Sequence, residues 1–386
     1  MGKMNPSAEP GTLNNLTISQ ERKLQDAWVY LLRLHGTDYS HGKLDKDVEF
    51  LQTLDSQSPE YFRDGLWSSI IDHPDASVLR FLRARNWDVS KAMNMMASAI
   101  DWRQHRGVGD IVRDGEGVGM KKIRTADEDA FMTQYRSGKS YVRGVDKDGR
   151  PVYIIRVRLH DPHLQTAEAM ETYVLHNIET IRMMARFPND KVCLVFDLSG
   201  FGLRNMDFHV VKFLLHVMEA RYPETLGVVL VHDAPFVFWG IWRVIKCWLD
   251  PVIASKIHFT SGKAALARFI SKDNLQTRYG GSDKWEYNYI NPVPGENERL
   301  DMEEKRAEIQ AERDRLLHEF DQLTIEWACL DPATDAAKEK ALRRNRLVED
   351  IQKNYWKLDP YVRARTYYHR VGVATGAGDV NYKAAE

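Results

Sequence analysis

Thirteen histidines, three cysteines and two glycine-containing turns are the parts of this 386-residue chain that could do chemistry, and their spacing decides which chemistry. Gly200-Phe201-Gly202-Leu203-Arg204-Asn205 follows a predicted strand and precedes a predicted helix, where a dinucleotide-binding turn belongs. Asn205 stands where a third glycine is needed, the strand is not the first of its unit, and no acidic residue is placed for a ribose. Ser261-Gly262-Lys263 imitates the end of a phosphate-binding loop, but Ile257 replaces its first glycine and Ala264 its Ser or Thr. There is no G-x-S-x-G elbow to present a nucleophile. The histidines form no metal-binding pair at helical or hairpin spacing; His160 and His163 only flank Pro162 in a loop. Nothing here forms a catalytic constellation, so no enzyme activity, metal or cofactor is expected.

The bulk composition excludes further classes. Lys and Arg (54) balance Asp and Glu (55), so no overall field argues for nucleic acid as a partner. Cys193, Cys247 and Cys329 are few, odd in number and far apart, as in a reducing compartment. The N-terminal stretch lacks the apolar core of a secretory signal, and Gly2 is followed by Pro6 where a myristoylation site needs Ser or Thr. Asn15-Leu16-Thr17 forms a glycosylation sequon that means little in a cytosolic chain. No stretch is long and apolar enough to span a bilayer, so a soluble, cytoplasmic protein is expected.

The elements that must position any site come in blocks. Composition predicts disorder up to about Thr17, then helices over Ile18–Leu34 and Asp45–Leu54. Ser58-Pro59-Glu60 starts a helix running to about Ile71, Pro74 opens another through Arg85, and Asp88 caps a third over Val89–His105. Beyond Asp127 the pattern changes. Lys139–Gly144 and Pro151–Arg158 read as strands joined by the turn Asp146-Lys147-Asp148-Gly149. In the second, Tyr153, Ile155 and Val157 alternate with Ile154, Arg156 and Arg158, which predicts one buried and one basic face. Apolar strands at Lys191–Leu198, Leu226–His232 and Lys256–Thr260 alternate with helices at Thr166–Arg186, Met206–Arg221 and Gly262–Ile270. That alternation predicts an α/β domain with a mainly parallel sheet covered on both faces.

One helix stands apart. Phe236–Leu249 carries Phe236, Phe238, Trp239, Ile241, Trp242, Ile245, Trp248 and Leu249, with only Arg243 and Lys246 as polar breaks, and Asp250-Pro251 closes it. A helix apolar all round is buried or membrane-bound, and this one is short of the roughly 20 residues of a span. Two readings stand: a core helix, or a lid with one side on protein and the other on a hydrophobic ligand. Its three tryptophans suit a surface that moves between protein and a lipid interface.

After Gly281, Trp285–Tyr289 is a candidate edge strand and Pro292-Val293-Pro294-Gly295 a linker. Met302, Ile309, Leu316, Leu323 and Leu330 then recur every seven residues, with Phe320 and Trp327 between. Asp331-Pro332 breaks that helix, and a second carries Leu347, Ile351, Tyr355 and Leu358. An antiparallel helical hairpin follows, either packed on the domain or offered to a protein partner. The last fifteen residues, from Gly372, read as a flexible tail. The resulting division is 1–57, a partly disordered extension; 58–126, helical; 127–283, the α/β domain; and 284–386, the helical extension.

Several of these stretches together resemble the CRAL-TRIO lipid-binding family. Val78-Leu79-Arg80-Phe81-Leu82-Arg83-Ala84-Arg85 before Trp87-Asp88-Val89 is similar to its opening helical signature. Gly149-Arg150-Pro151-Val152-Tyr153, Tyr222-Pro223-Glu224, Ala234-Pro235-Phe236, Leu249-Asp250-Pro251, Ser255-Lys256-Ile257 and Tyr279-Gly280-Gly281 recur in the family's order, so the resemblance covers about Pro74–Gly281. Fungal phosphatidylinositol-transfer proteins are the branch most resembled, including one with a longer C-terminal tail. The resemblance implies one lipid held between the sheet and a movable gate helix, here Phe236–Leu249, with Tyr153 and Ile155 on the pocket side.

It also implies a headgroup site. The branch's Arg, Glu and Lys for an inositol phosphate fall on Arg85, Glu224 and Lys256; a buried phosphodiester needs such cations. Glu224 is then expected to accept from inositol hydroxyls or to pair with Arg85. Three positions depart from the pattern: Asn86 for a Lys, Thr225 for an Arg and Ile253 for a Thr. Small hydroxyl residues that hold phosphatidylcholine are missing near Gly202–Arg204. The expectation is therefore a non-enzymatic lipid-transfer protein with phosphatidylinositol favoured and transient contact with a membrane surface; the alternatives are a binder of a sterol, squalene or haem, and a lipid-sensing interaction scaffold. A core that stays folded when the chain is cut after Pro292 is also expected.

Overall fold

The computed structural model describes residues 9–36 and 58–384. Among these the chain forms two compact units, one from residues up to Gly109 with Met302–Asp359, the other from Asp110–Asp301 and the chain from Pro360. The helix expected over Asp45–Leu54 lies outside the described residues.

In the first unit, α1 (Ile18–Leu34) starts on a capping box, Thr17 and Gln20 each closing an orphan N–H of the other. Helices α2 (Pro59–Ser69) and α3 (Pro74–Ala84) open with Pro at the first turn, and α4 (Val89–His105) is capped by Asp88. Residues 9–17, expected to be disordered, instead form turns. Arg83 donates to the Gly11 carbonyl at 3.0 Å, and Leu13 and Leu16 pack on the core.

In the second unit, α5 (Ala126–Arg136) precedes a five-stranded sheet ordered β1 (Ser140–Val145), β2 (Pro151–Arg156), β3 (Val192–Asp197), β4 (Leu226–His232) and β5 (Ile257–Thr260). Only β1 and β2 are antiparallel; β2 to β5 are parallel and adjacent in chain order. Crossovers of one hand between consecutive strands put their helices on one face. Those helices are α6 (Ala167–Met184), α7 (Phe208–Ala220), α8 (Phe238–Ile245) and the one-turn α9 (Pro251–Ser255). The opposite face is covered by chain after β5, where Leu266, Ile270, Leu275 and Tyr279 pack on Val152, Ile154, Val195 and Leu230. This segment is turns and short 3-10 stretches rather than the helix expected over Gly262–Ile270. Trp285–Tyr289 adds no strand; Trp285 and Tyr287 pack on the Tyr141 ring at 5.3 and 5.6 Å.

The C-terminal hairpin is α10 (Glu303–Ala328) and α11 (Asp335–Leu358), antiparallel as expected: Asn354 reaches the Ile309 carbonyl, Lys340 pairs with Glu326, and Lys357 pairs with Glu312. It is not an appendage. Leu317, Phe320, Leu323 and Trp327 share one core with Trp28, Leu66, Trp67 and Leu79. The buried seam runs Arg313, Leu317, Phe320, Thr324, Trp327, one residue off Leu316, because α10 also packs on α1. Arg344 forms a fork with Asp75 at 2.9 and 3.1 Å, and Trp28 donates to the same carboxylate at 2.6 Å. Burial pushes the Asp75 carboxyl up, but Arg344, His73 and these hydrogen bonds outweigh it and hold it below the usual range. The last described residues are tied down too: Gly144 N donates to Tyr382 O, Arg143 to Ala384 O and Tyr382 OH to Met184 O. These contacts hold the described part of the stretch read as a flexible tail.

Candidate functional site

The two faces of the sheet are not equally sealed. On the face away from the helices, Val152, Ile154, Cys193, Val195, Val228 and Leu230 are all buried. On the helix side the register builds two apolar rows, Tyr153–Leu194–Val229–Ile257 and Ile155–Phe196–Val231–Phe259. Leu194, Val229 and Val231 in their middle are buried, but Tyr153, Ile155, Phe196, Ile257 and Phe259 are only half-buried. The helix α7 repeats the pattern. Val210, Val211, Phe213, Leu214, Leu215 and Met218 are half-buried, and Val217 alone in α7 is buried. An apolar layer is thus left half covered on both its sides, a costly arrangement at about 25 cal/mol per Å² of apolar surface.

Arg156 and Arg158 do not make a shared basic face. Arg156 is buried on the sealed side, donating to the Gly138 carbonyl from Nε at 3.0 Å and lying 5.4 Å over the Tyr141 ring, while Arg158 is exposed beyond the strand end. Tyr153 donates to Ser140 Oγ at 2.7 Å, and Ser140 Oγ lies 2.6 Å from Tyr173 OH on α6.

The apolar helix is shorter and more one-sided than its sequence. It is α-helical over Phe238–Ile245, tightens to a 3-10 turn over Lys246–Trp248, and begins at Val237 without a side-chain cap. Phe238, Ile241 and Ile245 are buried against Leu198, Phe201 and Val231. Trp242 and Trp248 are half-buried, with the Trp242 ring 5.0 Å from Phe259 and that of Trp248 5.8 Å from Phe208. Leu249 is half-buried in the following loop. The opposite side is open: Phe236 is 93% exposed, and Val237, Trp239, Val244, Arg243 and Lys246 are exposed with it. Phe236 therefore precedes the helix and does not line its inner side, because the Ala234-Pro235 turn faces it outward. A Cβ on Gly240 would meet nothing within 4 Å, so packing does not require glycine there. At the other end Asp250 caps α9, accepting from Val252 N at 2.7 Å.

Two of the three expected headgroup residues meet. Glu224 lies in the turn before β4 and Lys256 immediately before β5; Val229 N donates to Lys256 O, which ties the two strand starts together. Lys256 Nζ and Glu224 Oε2 are 3.6 Å apart, with both side chains largely buried. Glu224 holds φ +58°, a left-handed conformation that costs a non-glycine residue about 1–3 kcal/mol and clusters at functional sites. Glu224 thus pairs with Lys256; Arg85 lies in the first unit after α3, where it donates to the Ala84 carbonyl. Thr225 is occupied locally, its hydroxyl donating to Tyr222 O at 2.8 Å.

A third constellation went unread in the sequence. Lys139 Nζ, 3% exposed as a residue, lies 3.0 Å from His160 Nδ1, and His160 Nε2 lies 3.1 Å from Asp207 Oδ2. Lys139 sits inside a predicted strand, where a lysine signals solvent. Asp207 falls inside the helix expected over Met206–Arg221, although an Asp directly before an apolar run is the usual N-cap signal. The described residues contain no group of three or more potential metal ligands, and no helix among them is long and apolar enough to cross a membrane.

Comparison with known proteins places these features in a family. Residues 135–281 match the CRAL/TRIO domain and residues 46–98 the CRAL/TRIO N-terminal domain. The chain is 35% identical over 353 residues to CRAL-TRIO domain-containing protein C3H8.02 of Schizosaccharomyces pombe, covering 88% of this chain and 77% of that protein. It is 39% identical over 331 residues to phosphatidylinositol transfer protein CSR1 of Eremothecium gossypii, covering 84% and 73%. Among solved structures, Sfh5 aligns with a TM-score of 0.46 at 18% identity, covering 72% of this chain and 92% of that one.

Proposed function

From the premise that the chain belongs to the CRAL-TRIO family, we propose that it is a non-enzymatic carrier. It takes one phospholipid from a membrane surface, shields its acyl chains and delivers it. The observation that carries this reading is the half-covered apolar layer between the helix-side rows of the sheet and α7 and α8. An acyl chain laid there gains about 0.8 kcal/mol per methylene, on the order of 12 kcal/mol for a chain of roughly fifteen. That is the barrier water alone presents to lipid exchange.

In this reading α8 is the gate. Its buried side, Phe238, Ile241 and Ile245, closes on protein, and its exposed side, Trp239, Arg243 and Val244, with Phe236 before it and Lys246 after it, meets headgroups and the acyl boundary. Phosphatidylinositol is the favoured cargo. Support comes from the Glu224–Lys256 pair at the strand starts and from the relative that bears that lipid in its name. Lys256 would meet the phosphate as a point charge, with Glu224 accepting from inositol hydroxyls. Asn86, Thr225 and Ile253 keep another lipid or hydrophobic ligand in second place. Cytoplasmic residence with transient membrane contact belongs to the same proposal. A partner reading of the hairpin has less support, since the α10 seam is used inside its own unit.

Native mass spectrometry of the purified protein, followed by lipid identification, tests this. A bound phosphatidylinositol mass, and its exchange between vesicles, is the expected result. A sterol, a haem absorbance band, or a protein that never carries or exchanges lipid would overturn it.

A further inference from the structure

The chain Lys139–His160–Asp207 joins three separate elements. Lys139 immediately precedes β1, and its backbone carbonyl accepts from Arg156 N at the end of β2. His160 lies in the loop after β2, and Asp207 is the N-cap of α7, where its other oxygen accepts from Val210 N at 3.1 Å. The three side chains close the connection: Nζ to Nδ1 at 3.0 Å, then Nε2 to Oδ2 at 3.1 Å. With Nδ1 accepting from Nζ, the imidazole proton sits on Nε2 and is donated to Asp207. Among the described residues Lys139 has no carboxylate within ion-pair distance. Gln134 of α5 accepts from it, Met170 Sδ is 3.4 Å away, and the Tyr173 ring of α6 lies at 5.3 Å. Asp161, in the His160 loop, and Asp207 are the remaining charges that act on this group. On its flank, His209 of α7 pairs with Glu171 of α6 at 2.7 Å as a separate titratable link.

We propose that this chain is a proton-operated catch, closed when Lys139 is neutral and released by acidification, that fixes the N-terminus of α7 and with it the seat of α8. Asp207 and His160 are the more exposed end of the chain, 16% and 9% open at their side chains, so water reaches Lys139 only when they part. Burial lowers the Lys139 amine to about 7 in the closed catch, and burial followed by the Lys139 charge also lowers His160. Both groups regain their ordinary basicity once wetted, so the open catch holds more protons and a fall in pH favours it. The sign follows from two depressed bases. For Lys139, opening is linked to one proton between its ordinary value near 10.5 and about 7, and is independent of that proton below. The helix it frees carries Phe208 against Trp248, and Met206 and Val211 pack on the cluster that also holds Phe238, Ile241 and Ile245. Any use of the catch at a bilayer rests on the function proposed above; the catch itself does not.

The test is hydrogen exchange of the α7 backbone amides from Val210 to Leu214 on the full chain without membranes. It runs from pH 9 to 7 and is corrected for intrinsic exchange rates. One linked proton predicts about a tenfold loss of protection per pH unit, on the order of 100-fold across that range. Lys139→Met keeps the volume, removes the proton and should flatten the slope, whereas His209→Gln should leave it unchanged. A flat profile in the unaltered protein overturns the proposal whether or not the variant folds. So does a slope that survives Lys139→Met or disappears with His209→Gln.

Discussion

Replacing Lys256 with Ala separates a headgroup site from a structural ion pair, and the geometry gives both magnitudes. Lys256 and Glu224 sit 3.6 Å apart with side chains 19% and 16% exposed. If Lys256 holds a lipid phosphate, its loss removes a hydrogen bond to a charged group worth about 1.5–3 kcal/mol, roughly 10- to 150-fold in affinity. If it only balances Glu224, the pair contributes on the order of 1 kcal/mol to stability, because Glu224 keeps access to water. The hypothesis therefore predicts that Lys256→Ala lowers phosphatidylinositol transfer between vesicles at least tenfold while urea unfolding moves by about 1 kcal/mol or less. Glu224→Gln sharpens the outcome. It removes the carboxylate that competes for Lys256, so binding of a simple anionic lipid should hold or rise. A fall confined to phosphatidylinositol would assign Glu224 to the inositol hydroxyls. Normal phosphatidylinositol loading and transfer by Lys256→Ala, alone and combined with Arg85→Ala, would falsify the headgroup assignment.

Truncation after Pro292, which the sequence suggests is harmless, should remove soluble expression. It strips Leu317, Phe320 and Trp327 from the first core, and losses of about 3–5 kcal/mol for each large aromatic exceed a domain's typical reserve. A soluble, cooperatively folding truncate would refute this. Arg344→Met alone should cost about 3–5 kcal/mol by urea unfolding, since it leaves the Asp75 carboxylate buried without its cation; a change below about 1 kcal/mol would show the fork to be dispensable. On α8 the two sides should behave oppositely. Ile241→Ala should destabilise by about 2–5 kcal/mol, while Phe236→Ser should stay within about 0.5 kcal/mol yet weaken sedimentation with vesicles. Equal stability losses would mean that Phe236 is not the open side. An engineered disulfide between α7 and α8, made with Cys247 first changed to Ser, should stop lipid exchange until reduced without expelling bound lipid. Unimpaired exchange with the bond formed returns α8 to ordinary core.

Legibility in the sequence followed the range of the interactions. Leu226–His232 and Val89–His105 match their elements residue for residue, because each is bounded by local signals: a continuous apolar run in the first, Asp88 as cap in the second. The sheet's order and its parallel run were equally readable, since alternation with helices leaves few other arrangements. The extremities misled, for their ordering is long-range. Tyr382 and Ala384 are ordered by the β1 edge, and α10 by α1; no window around Gly372 or Met302 contains those partners.

The candidate site shows the same division more sharply. Phe236–Leu249 reads as apolar on every side because hydrophobicity carries no direction. Direction comes from Leu198, Phe201 and Val231, which claim Phe238, Ile241 and Ile245 and leave Phe236, Trp239 and Val244 outside. Glu224 and Lys256, 32 positions apart, meet because β4 and β5 are parallel neighbours, so the residues just before each strand arrive at one edge. The same parallel order explains why Lys139, His160 and Asp207 escaped notice. Each follows a local rule of its own: a lysine at a strand end, a histidine in a loop, an aspartate before a helix. Only the parallel pairing of β2 and β3 brings the loop that follows β2 and the start of α7, which follows β3, within hydrogen-bonding distance and away from water.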